Sequence, residues 1–133
     1  MYPIIYLSAM YYEAVAEYKK VRPDAELNIL IAYSDIPPRF GNIIKEDLVD
    51  SIILDSGAYA ANHSGKYVPF DSYLQFCKRY NSYFDFKINY DIDFSIYGYY
   101  TNNKYLYKLL DAGVDNVAPV VHDHTCQYTN EIE

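Results

Sequence analysis

Cysteine is scarce in this chain: Cys77 and Cys126 are the only two, and neither belongs to a C-x-x-C pair. Their isolation excludes a disulfide framework or a thiolate zinc site within the chain and fits unpaired thiols in a reducing compartment. Basic residues are also few, 11 Lys and Arg against 18 Asp and Glu, which leaves a formal charge of −7. Non-specific nucleic-acid affinity comes from cations displacing counterions, so tight phosphate-backbone binding is excluded unless a local patch or a partner supplies the charge. No segment is long and apolar enough to span a bilayer, and the opening Met1-Tyr-Pro-Ile-Ile-Tyr6 lacks the basic region and cleavage site of an export signal. The expected location is the cytoplasm.

What is present suits one folded domain. A chain of 133 residues, 51% hydrophobic and 22% charged, can bury about two-thirds of its unfolded surface around a single core. The 18 tyrosines are unusual, and base-stacking platforms use such rings. They are scattered over every expected element, however, so amphipathic filling of core and surface explains most of them.

The order of elements alternates. Pro3–Leu7 is a short apolar run, after which Ser8 can cap a helix over roughly 9–21 that keeps Tyr11, Ala14, Val15 and Tyr18 on one face and stops before Pro23. Asn28–Tyr33 predicts a second strand, ending in Ser34-Asp35 ahead of the breaker Ile36-Pro-Pro-Arg39. A short helix over 42–49 leads to the unbroken run Ile52-Ile-Leu54, which predicts a strand buried on both faces as in a parallel sheet. Asp55 ends that burial, and Ser56-Gly57 supply the turn. A polar loop over 61–66 could lie over a site.

Asp71 is expected to cap the next helix, whose stripe is Tyr73, Phe76, Cys77, Tyr80 and Phe84. Phe84–Asp93 predicts a fourth strand ending in Asp91 and Asp93. Thr101 can cap a helix that turns Tyr105, Leu106, Leu109 and Leu110 inward and closes at Gly113, and Val117–Val121 predicts a fifth strand ending at His122-Asp-His124. Alternation at this spacing predicts an α/β fold with a parallel sheet and right-handed crossovers.

On that topology the carboxyl end of every strand lies on one rim. Asp35, Asp55, Asp91 and His122 would then gather at a common mouth, where open α/β sheets and barrels place their chemistry. Carboxylates crowded there raise one another's pKa unless a cation, a proton or a ligand donor sits between them. A ligand with several N–H donors, such as the N1–H and exocyclic amine of a guanine-like base, would answer paired acceptors, with a rim histidine completing the set. The simpler alternative is that some of these acids only cap helices or form turns, Asp35 above all. A second alternative is a metal-dependent hydrolase, with His122 and His124 on one strand face and Asp55 and Asp91 as oxygen ligands. A third is a non-catalytic binding or interaction remnant whose tyrosines pack a partner.

Leu54-Asp-Ser-Gly-Ala-Tyr59, then Ile88-Asn-Tyr-Asp91 and Ala118-Pro-Val-Val-His122, resemble the tRNA-guanine transglycosylase superfamily over roughly residues 28–122. The nearest likeness is to its phage and bacterial members linked to 7-deazaguanine bases in DNA or tRNA. The resemblance implies the N-terminal half of an eight-stranded β/α barrel, a single domain over 1–133. It implies that Asp55 contacts the exchanged base and assists proton transfer, that Ser56 and Gly57 line the base pocket, that Asp91 reads the amidine edge of the purine, and that His122 contacts the base. The implied reaction replaces guanine with a 7-deazaguanine through a glycosyl ester on a carboxylate.

Ala58 stands where many members have a second glycine, and Ala60 where many have glutamine, so the pocket floor is expected to differ. The family's nucleophilic aspartate and its zinc ligands belong to a later half, so no cofactor is expected here. Turnover is expected only when a partner, a second copy or a separately encoded second half, supplies the nucleophile. Five strands cannot close such a barrel, and the open edges call for cover.

Overall fold

In the computed structural model, which describes residues 4–8 and 11–121, a five-stranded, wholly parallel sheet organises the chain. The strands lie side by side in chain order: β1 (Leu7–Ser8), β2 (Asn28–Ala32), β3 (Ser51–Asp55), β4 (Phe86–Ile88) and β5 (Val117–Ala118). The connections carry α1 (Tyr12–Val21), α2 (Phe40–Lys45), α3 (Ala58–His63), α4 (Phe70–Arg79) and α5 (Gly98–Asp111). The parallel α/β class expected from the alternation is the one observed. No helix among the described residues is long and apolar enough to cross a membrane.

Neighbouring parallel strands joined by right-handed crossovers keep their helices on one face, and burial follows that division. Register sets Ile29 beside Ile52 and Ile31 beside Leu54, and all four are at most 4% exposed. Leu30 and Ile53, paired on the opposite face, are half-buried, and Phe86 beside Ile53 is 49% exposed. One face therefore holds the core, and β3 is buried on that face alone rather than on both as expected, because all the crossover helices pack on one side of the sheet. The other is an open, largely apolar surface, and among the described residues the outer edges of β1 and β5 have no strand partner.

Two acids at the amino ends of strands are spent on the backbone: Asp50 accepts from the Leu27 amide at 2.7 Å, and Asp85 from the Ile52 amide at 2.8 Å. They tie adjacent strands together below the core. Beside them Lys87, fully buried on the helix face, donates to the Asn81 side chain at 2.7 Å and the Asp115 carbonyl at 2.8 Å. Burial lowers its pKa, partly offset by nearby Cys77 and Asp115. Cys77 is an unpaired, buried thiol pushed up to about 11 by burial, which leaves it inert as a nucleophile.

Several expected boundaries move. Ser8 belongs to β1, and α1 begins at Tyr12 with no side-chain cap. The 42–49 helix spans Phe40–Lys45 instead. The expected loop over 61–66 is half helical, since α3 runs to His63. Asp71 lies in the first turn of α4, and Thr101 in that of α5, which starts at Gly98. Gly113 closes α5 with φ +86 as expected, whereas Leu110 is 47% exposed rather than inward.

The largest change is at the fourth strand. It stops at Ile88, although the Asn89 amide still donates to Ala118 at 2.9 Å. The Tyr73 hydroxyl caps its end by donating to the Ile88 carbonyl at 2.6 Å. Tyr90 packs instead against Phe70, Tyr73 and Tyr105, and its hydroxyl donates to the Val68 carbonyl. The fifth strand is likewise only Val117–Ala118.

Candidate functional site

Asp55 is the last residue of β3 and shares the open face with Ile53 two residues earlier. The chain then turns sharply. Gly57 adopts φ +67, and a Cβ there would lie 2.0 Å from the Ser34 Oγ, so both conformation and space call for glycine. Ser56 is 2% exposed, and its Oγ accepts from the Ala58 amide at 3.2 Å, starting α3. The turn thereby holds Asp55 at the mouth of a cavity of about 310 Å³.

Asp55, Ser56, Gly57 and Asp91 all line that cavity, with Tyr59 and Phe94 beside them. Ile88 and Val120 complete the apolar part of the wall, and the small Ala58 and Ala60 occupy the positions where the resemblance led us to expect a different floor. Burial raises the Asp55 carboxyl above its ordinary range, and the negative charge of Asp91 adds to the rise. The Gly57 and Ser56 backbone N–H groups act the other way. Two carboxylates from different βα units therefore sense each other across one small cavity.

Asp91 is 8% exposed and accepts from Asn102 Nδ2 at 2.8 Å. Asn102 is a knot for the whole β4–α5 loop: its Nδ2 also donates to the Asp93 carbonyl at 2.8 Å, and its Oδ1 accepts from the Ile92 and Asp93 amides at 3.2 Å each. Asp93 turns the chain further by accepting from the Ser95 amide at 2.8 Å. Gly98, at the start of α5, packs so closely that a Cβ would lie 2.1 Å from the Asp93 carbonyl oxygen.

Not every expected residue joins the site. Asp35 is exposed in a 3₁₀ turn over Tyr33–Asp35 and is absent from the cavity wall. His122 and His124 lie outside the described residues, as does Cys126. Among the described residues no group of three or more His, Cys, Asp or Glu is arranged to hold a metal ion.

Asn102 escaped the sequence reading. Its signal was a polar residue on the stripe that Tyr105 and Leu109 bury in α5, a position where an unpartnered amide is costly. Tyr59 and Phe94 were missed as a pair, because their ring centroids, 3.6 Å apart, meet only through the fold. No family model, curated protein or solved structure matches this chain.

Proposed function

We propose that the chain is a base-binding domain of tRNA-guanine transglycosylase type, which takes guanine or a 7-deazaguanine, presented in tRNA or DNA, into the cavity between Asp55 and Asp91. One observation carries the reading: two carboxylates from successive βα units line the same cavity, where burial and, to a smaller extent, the charge of Asp91 raise the Asp55 pKa. Such a pair is relieved by a ligand with several N–H donors on one edge. The cavity, about 310 Å³, falls at the small end of ligand sites and suits a planar base. That Asp55, Ser56, Gly57 and Asp91 all line it supports the family resemblance noted from the motifs.

In this reading Asp91 accepts from the amidine edge, while Asp55, with its raised affinity for a proton, contacts the base and exchanges a proton with it. Base exchange further needs a nucleophilic carboxylate from a partner, a second copy or a separately encoded second half. The open sheet face and the edges of β1 and β5 are where that partner would pack.

Titration calorimetry with guanine, 7-deazaguanine and hypoxanthine tests the reading. Guanine and 7-deazaguanine are expected to bind, hypoxanthine, which lacks the exocyclic amine, at least tenfold more weakly, and Asp91→Asn to abolish the preference. Absence of guanine binding, or equal affinity for hypoxanthine, refutes it.

A further inference from the structure

The sheet ends in two edges, and the helix beside each edge carries an exposed apolar flank. In α1 the spacing that sets Tyr11, Ala14, Val15 and Tyr18 on one face buries only Val15. Tyr12 and Glu13 turn toward the two ends of α2: the Tyr12 hydroxyl donates to Glu46 at 3.0 Å, and Arg39 donates to Glu13 at 3.3 Å. Tyr11, Ala14, Tyr18 and Val21 therefore line the opposite flank, on the side of the unpaired β1 edge. All four are exposed, Val21 by 72%.

At the other end of the sheet α5 repeats the arrangement. Tyr105 and Lys108 meet Phe70 of α4, so Tyr99, Leu106 and Leu110 fall on the flank toward β5. A cavity of about 450 Å³ runs along this flank to Val121, and its wall mixes Tyr99, Leu106 and Tyr107 with the polar Ser95 and Asn103. A tyrosine, an apolar ring with a polar tip, suits such a wall. The α1 flank supplies two.

Neither stripe contains a charged residue in a chain of net charge −7, so two copies can meet there without burying like charges. Rich in tyrosine and poor in charge, the stripes have the composition of an interface core. Taking about 150–250 Å² for a buried tyrosine, the exposed fractions of Tyr11, Tyr18, Tyr99 and Tyr107 amount to roughly 400 Å². With the aliphatic residues beside them, one junction of α5 on α1 covers roughly 700 Å², below the size of a stable interface, whereas two such junctions, about 1,400 Å², reach it.

We propose that a second copy of this chain covers both edges, with β5 of each copy beside β1 of the other in the same parallel sense and α5 of each packed on α1 of the other. The contact is head-to-tail, and a twofold axis along the strands closes it with two junctions. The open sheet face, Phe86 included, then turns to the inside of the ring. This goes beyond the base-binding reading and stands without it, since none of the residues that form the junction lines the cavity between Asp55 and Asp91.

Sedimentation equilibrium of the wild type, of Tyr18→Glu in α1 and of Leu110→Glu in α5 tests the proposal. Both positions are exposed, by 40% and 47%, so both variants should match the wild type in circular dichroism. The wild type is expected to be a dimer, and each variant a monomer at concentrations where the wild type is paired. An equimolar mixture of the two variants is expected to pair more tightly than either alone, because α5 of the first still fits α1 of the second. Val21→Glu and Tyr99→Glu, at more exposed positions of the same stripes, should repeat the result. A monomeric wild type, which would leave the edges to a different partner, would overturn the proposal. So would dimers that either variant leaves intact, or a mixture that pairs no better than its components.

Discussion

Asn102 gives one Nδ2 hydrogen to Asp91 Oδ1 and the other to the Asp93 carbonyl, both at 2.8 Å. A helix side chain thus fixes the position of a loop carboxylate. Asn102→Ala strips Asp91 and the Ile92 and Asp93 amides of a partner at once. We expect a stability loss of about 2 kcal/mol or more in urea unfolding, since each hydrogen bond removed contributes about 0.5–1.5 kcal/mol and one to a charged group more, together with weaker guanine binding. Wild-type values for both would show that the knot does not position Asp91.

The raised Asp55 pKa has a defined sign in stability. Between the ordinary carboxyl value of 3.8 and the higher folded value, the native state binds more protons than the unfolded one. Stability from this group is then fully present below the ordinary value and falls as pH rises through the folded pKa. Asp55→Asn removes the ionisable group, so the variant should gain on the wild type as pH is raised from the acid side of that window to neutrality. Unfolding curves at a series of pH values check this, and a constant difference between the two proteins would contradict it.

Gly57 and Gly98 forbid a side chain for different reasons. At Gly57 the backbone is left-handed, and the atom in the way is the end of a side chain, Ser34 Oγ. Gly57→Ala should cost about 1–2 kcal/mol from conformation alone, plus the clash, and adding Ser34→Ala should recover only part of the clash, since the Ser34 Cβ would still lie 2.9 Å away. Thermal unfolding of the single and double variants measures that part.

At Gly98 the obstacle is backbone, the Asp93 carbonyl oxygen, which cannot rotate away. Gly98→Ala should displace the loop that carries Asp91, lowering both stability and guanine affinity. Gly41, in α2, has open space where a methyl would go, with nothing within 4 Å, and no positive φ. Gly41→Ala should instead stabilise by about 0.5–1 kcal/mol, as a helical glycine replaced by alanine does. The pair of variants, compared by urea unfolding and calorimetry, distinguishes local crowding from a general effect of alanine.

The sequence by itself determined the parallel α/β class, the run Ile52-Ile-Leu54 that forms the central strand, and the sharp turn after Asp55. These are local matters, decided by unbroken apolar runs and by glycine's freedom. Cap positions were less legible, because tyrosine- and proline-led starts replaced the expected Ser8, Asp71 and Thr101 caps. Only the tertiary structure decided that Asp91 meets Asp55. Had the fourth strand continued to Asp93, alternation would have turned Asp91 to the helix side along with Lys87 and Asn89, opposite Ile88 and Asp55. The strand ends at Ile88, and Asn102, from a helix further along the chain, holds the loop so that Asp91 lines the same cavity as Asp55. Spacing cannot reveal a contact of that kind, since it depends on which distant side chain satisfies the backbone once a strand has stopped.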